Sequence, residues 1–419
     1  MRVVMIDPGA FTPFYDDALC RGLAAEGCDV ELVTAPFAYH PWPAARGYSR
    51  REVFAGGAGG AGAGRAGLRL YRRLRRAITY PLAWRRLAAE LARRPPEVVH
   101  LQWSLLPAVE RRALQQLRAA GVRVVQTVHN ARPHGGEPKP LPAGGRLRSE
   151  ADALVLLSEA GRAELVADRP ELASRMRLLR VIPPGIGEGD VGDEGGTGRM
   201  GGMGRMGGGE GLDRAAARRR LGLEVDSPLA LFLGLIRPYK GVDLLLEAFA
   251  TTLRDLPAAR LVVAGLPRPS FRPYARQIDR LGLGERVRTD LRYLPQSVMH
   301  DYLAAADLVV LPYRDASQSA VLGAALAAGR PVVASATGGL PEMLTEGATE
   351  MLVPAGDVVA LAGAMTRLLT DRERAGELGR RAGNSARRRF SWSRSAAATA
   401  ALYRELSRPA SGHSGTEPA

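Results

Sequence analysis

The chain has 419 residues, 46% of them hydrophobic, with a formal net charge of +15 and a sequence pI of about 10.5. This length allows two domains with a hydrophobic core each, and the charge favours an acidic partner such as a nucleotide, a nucleic acid or an anionic membrane surface. Nucleic acid is disfavoured, because aromatic residues make up only 5% of the chain and the sequence has no aromatic-plus-basic ladder and no DNA- or RNA-binding motif.

The two cysteines, Cys20 and Cys28, are too few for a disulfide framework or a metal set. We expect both to be small buried hydrophobes in a reducing cytoplasm. The apolar run at 3–6 is too short for a signal peptide, and no run approaches the roughly 18 apolar residues that a spanning helix needs. These features predict a cytoplasmic protein that is soluble, or peripheral at the inner face of the cell membrane.

Strand and helix patterns alternate along residues 1–184, which we interpret as the first domain. Short apolar runs predict strands, and the amphipathic segments between them predict helices. Such alternation is typical of a parallel sheet that is covered on both faces. The predicted strands cover 3–6, 30–34, 98–102, 122–128, 154–157 and 178–182, and the predicted helices cover 15–26 and 109–120.

A glycine-rich segment follows, with 14 glycines in the 27 residues of 185–211. This composition cannot offset the entropy lost on ordering, so it predicts a linker or insert over 185–224. A shorter Ala/Gly-rich stretch at about 55–67 predicts a mobile loop, and the composition of 409–419 predicts a disordered tail.

The alternation resumes over 225–390, which we interpret as a second doubly wound domain facing the first across a cleft. A last helix over 391–408 has Ser391 as its candidate cap, and we expect it to cross back to the first domain. The predicted strands of the second domain cover 229–235, 261–265, 287–291, 308–311 and 331–335, and the predicted helices cover 244–253, 272–281, 297–305 and 320–328.

Lys240 stands out because the chain has 58 basic residues and only two of them, Lys139 and Lys240, are lysines. It lies with Arg237 in a turn between a predicted strand and a predicted helix. Two cations in such a turn predict a phosphate clamp, in which lysine supplies a compact charge. The alternative is two ordinary charges on a solvated loop.

Ligands of doubly wound sheets bind where the strands end at their carboxyl side. After the strand predicted over 308–311, Ser317 or Ser319 can cap the following helix. The free N–H groups at the start of that helix can hold an anion, and the alternative is a serine that only caps the helix. After the next strand, Gly338 and Gly339 permit a close backbone approach to a ligand. For Glu342, the alternative to a role at the ligand is a helix start with an acid that matches the helix dipole.

Two histidines of the first domain lie in or next to predicted strands. His129 comes directly after the strand predicted over 122–128, so it either points into the cleft or has a structural role. His100 is interpreted as structural.

Taken together, these motifs resemble those of the retaining glycosyltransferases of family 4, in a subgroup with a Ser-Gln-Ser arrangement. That family has the GT-B fold, in which two Rossmann-like domains face each other across a cleft. The resemblance covers nearly the whole chain outside the glycine-rich inserts and the tail. It is carried by segments 127–130, 182–185, 233–243, 306–312, 327–335 and 338–342.

The resemblance implies transfer of a sugar from a UDP-, GDP- or other nucleotide-sugar to a lipid-linked, polysaccharide or small-molecule acceptor. It implies no metal and no other cofactor. Arg237 and Lys240 would hold the diphosphate, where fixed cations stabilise the leaving group, and His129 would lie beside the donor sugar. The further donor contacts that it implies are Gly9, Gly234, Leu294, Ser317, Gln318, Ser319, Ala320, Val321, Gly338, Gly339 and Glu342.

The sequence departs from the family pattern in two places. Ala316 and Ala324 stand where the family usually has two glutamates that bind sugar and ribose, and the loop around Gly9 lacks a double glycine. Two alternatives therefore stay open, namely a nucleotide-sugar binding protein without turnover and a nucleotide-sugar epimerase of the same fold. A dinucleotide oxidoreductase is disfavoured, because no Gly-x-Gly-x-x-Gly follows the first strand.

The segment from Arg65 to Arg94 contains ten arginines and one acid, Glu90. Apolar residues recur in it at helical spacing, among them Leu74 and Ile78. This pattern predicts a helix that either docks on anionic lipid headgroups or packs on the first domain with a solvated basic face.

Overall fold

The computed structural model describes residues 1–39, 41–55, 66–132, 147–172, 179–187, 213–344 and 351–408, with the backbone alone over 66–76. Most of the predicted loop at about 55–67, most of the predicted linker and the predicted tail lie outside these ranges.

A fully parallel sheet of seven strands forms the first domain, in the order β3-β2-β1-β4-β5-β6-β7. Its strands are β1 (Arg2–Asp7), β2 (Asp29–Thr34), β3 (Ser49–Glu52), β4 (Val98–Leu101), β5 (Arg123–Val128), β6 (Ala153–Leu156) and β7 (Leu179–Val181). Its helices are α1 (Pro13–Ala25), α2 (Ala66–Arg93), α3 (Pro107–Ala119) and α4 (Glu159–Asp168).

Both faces of this sheet are covered, as the continuous apolar runs predict. Successive side chains of a strand point to opposite faces. Val4 and Ile6 of β1 therefore belong to the apolar cluster that includes Trp84 of α2, while Val3 and Met5 belong to the cluster that includes α1.

The second domain contains a six-stranded parallel sheet with the order β10-β9-β8-β11-β12-β13. Its strands are β8 (Leu229–Leu233), β9 (Arg260–Ala264), β10 (Val287–Asp290), β11 (Leu308–Leu311), β12 (Val332–Ser335) and β13 (Leu352–Val353). The helices that follow are α5 (Arg214–Leu221), α6 (Val242–Asp255), α7 (Arg272–Arg280), α8 (Gln296–Ala305), α9 (Ala320–Ala327), α10 (Leu340–Met343), α11 (Val358–Thr370), α12 (Arg372–Arg389) and α13 (Trp392–Ser407). The predicted strands and helices are present with small differences at their ends.

The linker predicted over 185–224 is wrong at its C-terminal end, because helix α5 lies inside that range. The Asp213 side chain caps the helix by accepting from the N–H of Ala216 at 3.0 Å. Arg218 is fully buried, and its guanidinium lies 2.8 Å from a carboxylate oxygen of Asp307. The glycine-rich composition nearby hid this helix, whose charged residues did not suggest a buried face.

Helix α13 crosses back to the first domain, as predicted. Its apolar residues, including Ala396 and Ala400, pack in the same cluster as Val3 and Met5 of β1. The predicted cap Ser391 accepts from the N–H of Arg394 at 3.3 Å. The chain therefore ends its described part on the domain in which it began.

A buried polar contact fixes this crossing helix. The hydroxyl of Tyr403 lies 2.5 Å from Nδ1 of His100, whose Nε2 lies 2.8 Å from the hydroxyl of Thr127. All three side chains are buried, so the interpretation of His100 as structural agrees with its place in the sheet. Burial, with a smaller contribution from His129, lowers the pKa of His100 to about 3.

This pKa predicts a pH dependence of stability. In the unfolded chain the histidine takes up a proton near pH 6.5, so its contribution is complete above that pH and is lost as the pH falls toward 3. Between about pH 7.5 and about pH 5, the group should cost the wild-type protein about 2 kcal/mol of unfolding free energy. Urea titrations at these two pH values should show a smaller loss for His100→Gln; equal losses in the two proteins would contradict the prediction.

Candidate active site

Three loops of the second domain converge at the carboxyl edge of its sheet. Gly241 has a φ of +66°, and a Cβ there would lie 1.9 Å from the carbonyl oxygen of Pro312, in the loop after β11. A Cβ on Gly265, after β9, would lie 1.9 Å from the carbonyl oxygen of Gly234, after β8. These approaches are possible only for glycine, and they bring the loops after β8, β9 and β11 together.

Lys240 ends a short turn of 3₁₀ helix, Pro238–Lys240, in the first of these loops. Its ammonium lies 5.0 Å from the centre of the Tyr313 ring, within range of a cation–π interaction. Arg237 directly precedes the same turn and is exposed. Within the described residues, neither cation has a carboxylate partner, whereas Arg314 nearby is paired with Asp243 at 2.6 Å. The turn therefore carries two uncompensated positive charges.

The first turn of α9 lies next to this ammonium. A Cβ built on Gly234 would be 3.4 Å from Nζ of Lys240 and 3.1 Å from Cγ2 of Val321, so Gly234 lies between the cation and the helix start. Ser319 caps α9 by accepting from the N–H of Leu322 at 3.2 Å. The N–H groups of the first helical turn have no partner within their own helix, and Ala320 and Val321 supply the first two.

The structure thus brings together Arg237, Lys240, Gly234 and the start of α9. Two cations and a capped helix start form an arrangement suited to an anion, because the helix dipole and the fixed charges act in the same direction. This geometry favours the anion-binding interpretation of the serine cap, and a cap with no further role does not account for the adjacent lysine.

Gln318 and Glu342, two predicted donor contacts, are engaged across the domain boundary. The amide of Gln318 donates to the carbonyl of Leu157 at 2.7 Å. The Glu342 carboxylate accepts from the backbone N–H groups of Glu159 and Ala160 at 3.0 and 2.7 Å. In this arrangement both side chains contact the first domain, and their contact with a donor stays a prediction.

The glycine pair lies against the backbone of the Ser-Gln-Ser segment. Gly338 has a φ of +51°, and a Cβ there would lie 1.5 Å from the carbonyl oxygen of Ala316. A Cβ on Gly339 would lie 2.5 Å from the carbonyl oxygen of Ser317. The close approach predicted for these glycines is therefore realised against the protein itself, and their role toward a donor stays a prediction.

The region around Leu294, one of the predicted donor contacts, contains an aromatic contact that the sequence analysis missed. Leu294 is buried, and Tyr293 beside it stacks on Tyr39 of the first domain with ring centres 4.0 Å apart. Arg268, in the loop after β9, donates to the hydroxyl of Tyr39 at 2.5 Å. Tyr39 lies in the loop after β2. This position after a strand was the one feature of the sequence that could have indicated a residue near the cleft.

His129 lies on the first-domain side of the cleft, in an aromatic cluster. Its ring stacks on Trp103 with centres 4.4 Å apart, and Tyr15 meets its edge at 5.1 Å. Nε2 lies 3.3 Å from Oε1 of Gln102. Burial lowers the pKa of His129 to about 3, so the imidazole is neutral at physiological pH and can act as a hydrogen-bonding group without adding charge.

Gly9 occupies a loop that Asp7 holds in place. The Asp7 carboxylate accepts from the N–H groups of Gly9, Phe11 and Thr12 at 3.1, 2.7 and 3.3 Å. A Cβ on Gly9 would lie 2.3 Å from Cε2 of Phe11, so the glycine makes room for that ring. The donor contact predicted for Gly9 stays a prediction. Asp7 is the last residue of β1, and the sequence analysis assigned it no role.

Ala316 and Ala324 have no polar side chain to offer a sugar. Ala316 is buried and belongs to the apolar core of the second domain, and Ala324 packs against that core. Within the described part of the chain, no group of three or more His, Cys, Asp or Glu residues is arranged to hold a metal ion. The described helices also include none that is long and apolar enough to cross a membrane.

Two family models match the two halves of the chain. Residues 16–185 match the glycosyl transferase 4-like domain, and residues 227–371 match the glycosyl transferases group 1. The chain belongs to the group 1 glycosyltransferases.

Curated relatives carry the name D-inositol 3-phosphate glycosyltransferase. The protein of Geodermatophilus obscurus is 37% identical over 198 residues, which are 46% of this chain and 43% of the relative. That of Nocardia farcinica is 40% identical over 190 residues, which are 44% of this chain and 42% of the relative. The chain thus spans about half the length of the curated relatives it matches.

Solved structures share the two-domain GT-B fold. Sucrose-phosphate synthase from Thermosynechococcus elongatus has a TM-score of 0.68 at 22% identity, over 97% of this chain and 99% of that one. Anabaena HepE, solved in complex with UDP, has a TM-score of 0.67 at 15% identity, over 97% of this chain and 100% of that one. At these identities the likeness concerns the fold, which agrees with the prediction of two facing Rossmann-like domains.

A glycine substitution tests the convergence of the loops. Gly241→Ala should lower the unfolding free energy by about 3 kcal/mol, because it adds a clash with Pro312 to the strain of a positive φ. Gly282→Ala is the matched control, since Gly282 has a φ of +65° and no atom within 4 Å of the added Cβ. The unfolding free energy of the control should fall by only about 1 kcal/mol. Urea titration measures both, and equal losses would mean that the loop contact is unimportant.

Proposed function

We propose that this protein transfers a sugar from a nucleotide-sugar to an acceptor hydroxyl, with retention of configuration at the anomeric carbon. The observation that carries the proposal is the pair of uncompensated cations, Arg237 and Lys240, beside the free N–H groups at the start of α9. The diphosphate of a nucleotide-sugar carries two negative charges and gains a third as it leaves, and this arrangement of cations and N–H groups fits such an anion. Support comes from membership of the group 1 glycosyltransferases and from HepE, whose structures contain UDP or UDP-glucose.

The proposed chemistry needs leaving-group stabilisation more than acid–base catalysis. As the bond from the anomeric carbon to the diphosphate breaks, negative charge develops on the phosphate oxygens, and fixed cations and N–H groups stabilise it without reorganisation. Lys240 and Arg237 supply this stabilisation in place of a metal ion. His129, which burial keeps neutral, serves as a hydrogen-bonding partner for the donor sugar on the opposite side of the cleft.

The acceptor is a lipid-linked, polysaccharide or small-molecule hydroxyl, and an acceptor at a membrane would suit a basic first domain. Residues Ile78 and Leu82 of α2 are 66% and 45% exposed, one helical turn apart, in the arginine-rich segment. This apolar pair, together with the exposed Arg85 and Arg86 of the same helix, supports peripheral docking on anionic lipid. Association with the inner face of the membrane is part of the proposal.

A second candidate is a nucleotide-sugar binding protein without turnover. Ala316 and Ala324 favour it, because neither can form the hydrogen bonds of a carboxylate. An epimerase, which needs acids around the sugar, is less consistent with the same two alanines. A panel of UDP-, GDP-, ADP- and dTDP-sugars, assayed for binding and for slow hydrolysis, separates the candidates: binding with hydrolysis supports the transferase, and binding alone supports the second candidate.

Substitution of the cations tests the assignment. With the donor that the panel identifies, Lys240→Ala and Arg237→Ala should each lower kcat/KM by about 100-fold, since each removes charge stabilisation that grows in the transition state. Arg276→Ala is the matched control, because Arg276 is an exposed arginine on α7 of the same domain. Full activity in Lys240→Ala would remove the lysine from the proposed site.

A further inference from the structure

Glu342 contacts the first domain in a way that the anion site does not explain. It belongs to the short helix α10, yet its two carboxylate oxygens accept from the N–H groups of Glu159 and Ala160 at 3.0 and 2.7 Å. These N–H groups open α4 in the other domain. A helix leaves its first N–H groups without an internal partner, so Glu342 satisfies two of them from across the cleft.

The same helix start is also capped from within its own domain. Ser158 is buried, and its hydroxyl accepts from the N–H of Gly161 at 3.0 Å. The cap of α4 is therefore shared: Ser158 serves Gly161, and Glu342 serves the two preceding residues. Because only the Glu342 contribution crosses between domains, it is the part of the cap that opening of the cleft would remove.

Neighbouring contacts set the position of this junction. The hydroxyl of Ser158 lies 3.3 Å from the carbonyl oxygen of Ser317, and the Gln318 amide donates to Leu157 at 2.7 Å. A Cβ on Gly339 would lie 2.9 Å from Cβ of Ser158, so a larger residue would hold the domains apart. Ser317 and Gln318 lead directly into Ser319, the cap of α9.

We propose that Glu342 is a positioning residue that closes the cleft by capping α4 in the opposite domain. The negative carboxylate stabilises the positive end of the helix dipole, and it does so only when the two domains are together. Closure then fixes the segment before α9, and with it the candidate anion site, relative to His129 in the first domain. The contact thereby couples the arrangement of the site to the arrangement of the domains.

Amide hydrogen exchange on the full chain tests this role. Glu342→Ala should raise the exchange rates of the Glu159 and Ala160 amides about 10-fold, which corresponds to the loss of a helix cap. The Gly161 amide, which Ser158 holds, should change less. Glu342→Gln keeps an acceptor oxygen without the charge, so an increase of about 3-fold is expected.

Small-angle scattering of the same proteins should show a larger radius of gyration for Glu342→Ala than for wild type. Glu373→Ala is the matched control, because Glu373 is an exposed glutamate in the first turn of α12. If Glu342→Ala leaves exchange at Glu159 and Ala160 and the radius of gyration at their wild-type values, the proposal is overturned.

The kinetic effect of Glu342→Ala rests on the proposed function. Glu342→Ala should lower kcat about 10-fold, since the closed site forms less often, while donor affinity of the second domain changes less than about 3-fold. A loss confined to donor affinity would instead make Glu342 a donor ligand and overturn the positioning role. If the wild-type protein has no transferase activity, exchange and scattering still decide the proposal.

Discussion

Close packing of backbone at the carboxyl edge of the second sheet is the constraint on which the candidate site depends. The carbonyl oxygens of Pro312 and Gly234 occupy the positions where Gly241 and Gly265 would carry a Cβ. Because the loops can approach this closely, Lys240 lies half-buried against an aromatic ring and next to a helix start. A charge in such surroundings interacts more strongly than one in open solvent, so the glycines determine how much the lysine can contribute.

Charge is distributed unequally over the two walls of the cleft, and this inequality gives the site its chemical character. In the second domain, Arg218 is neutralised by Asp307 and Arg314 by Asp243. The turn holding Lys240 is not neutralised within the described residues. On the facing wall, His129 is neutral, since burial lowers its pKa to about 3. A ligand with its charge at one end and an uncharged ring at the other fits this distribution.

The sequence predicted most of the fold, because apolar runs and glycine-marked turns are local signals. It also placed Lys240 in a turn between a strand and a helix and named Ser319 among the candidate caps of α9, and both positions agree with the structure. It could not reveal that Glu342 caps α4, because Glu342 lies 183 positions from Glu159 and 182 positions from Ala160 in the sequence. For the same reason it could not reveal that Tyr39 stacks on Tyr293. Helix α5 was missed for a related reason: the burial of its arginine depends on Asp307, a partner far along the chain.

The alanines at 316 and 324 are better understood from the packing than from the motif. Ala316 is buried in the apolar core, and its carbonyl oxygen lies where Gly338 would carry a Cβ. A carboxylate at this position would lose its hydration without a compensating partner, which is costly. In this chain the segment at 316–319 therefore has a different use, with its backbone and Gln318 holding the first domain. The two alanines supply no polar group to a sugar, and under the proposed function His129, on the facing wall, supplies a hydrogen-bonding group instead.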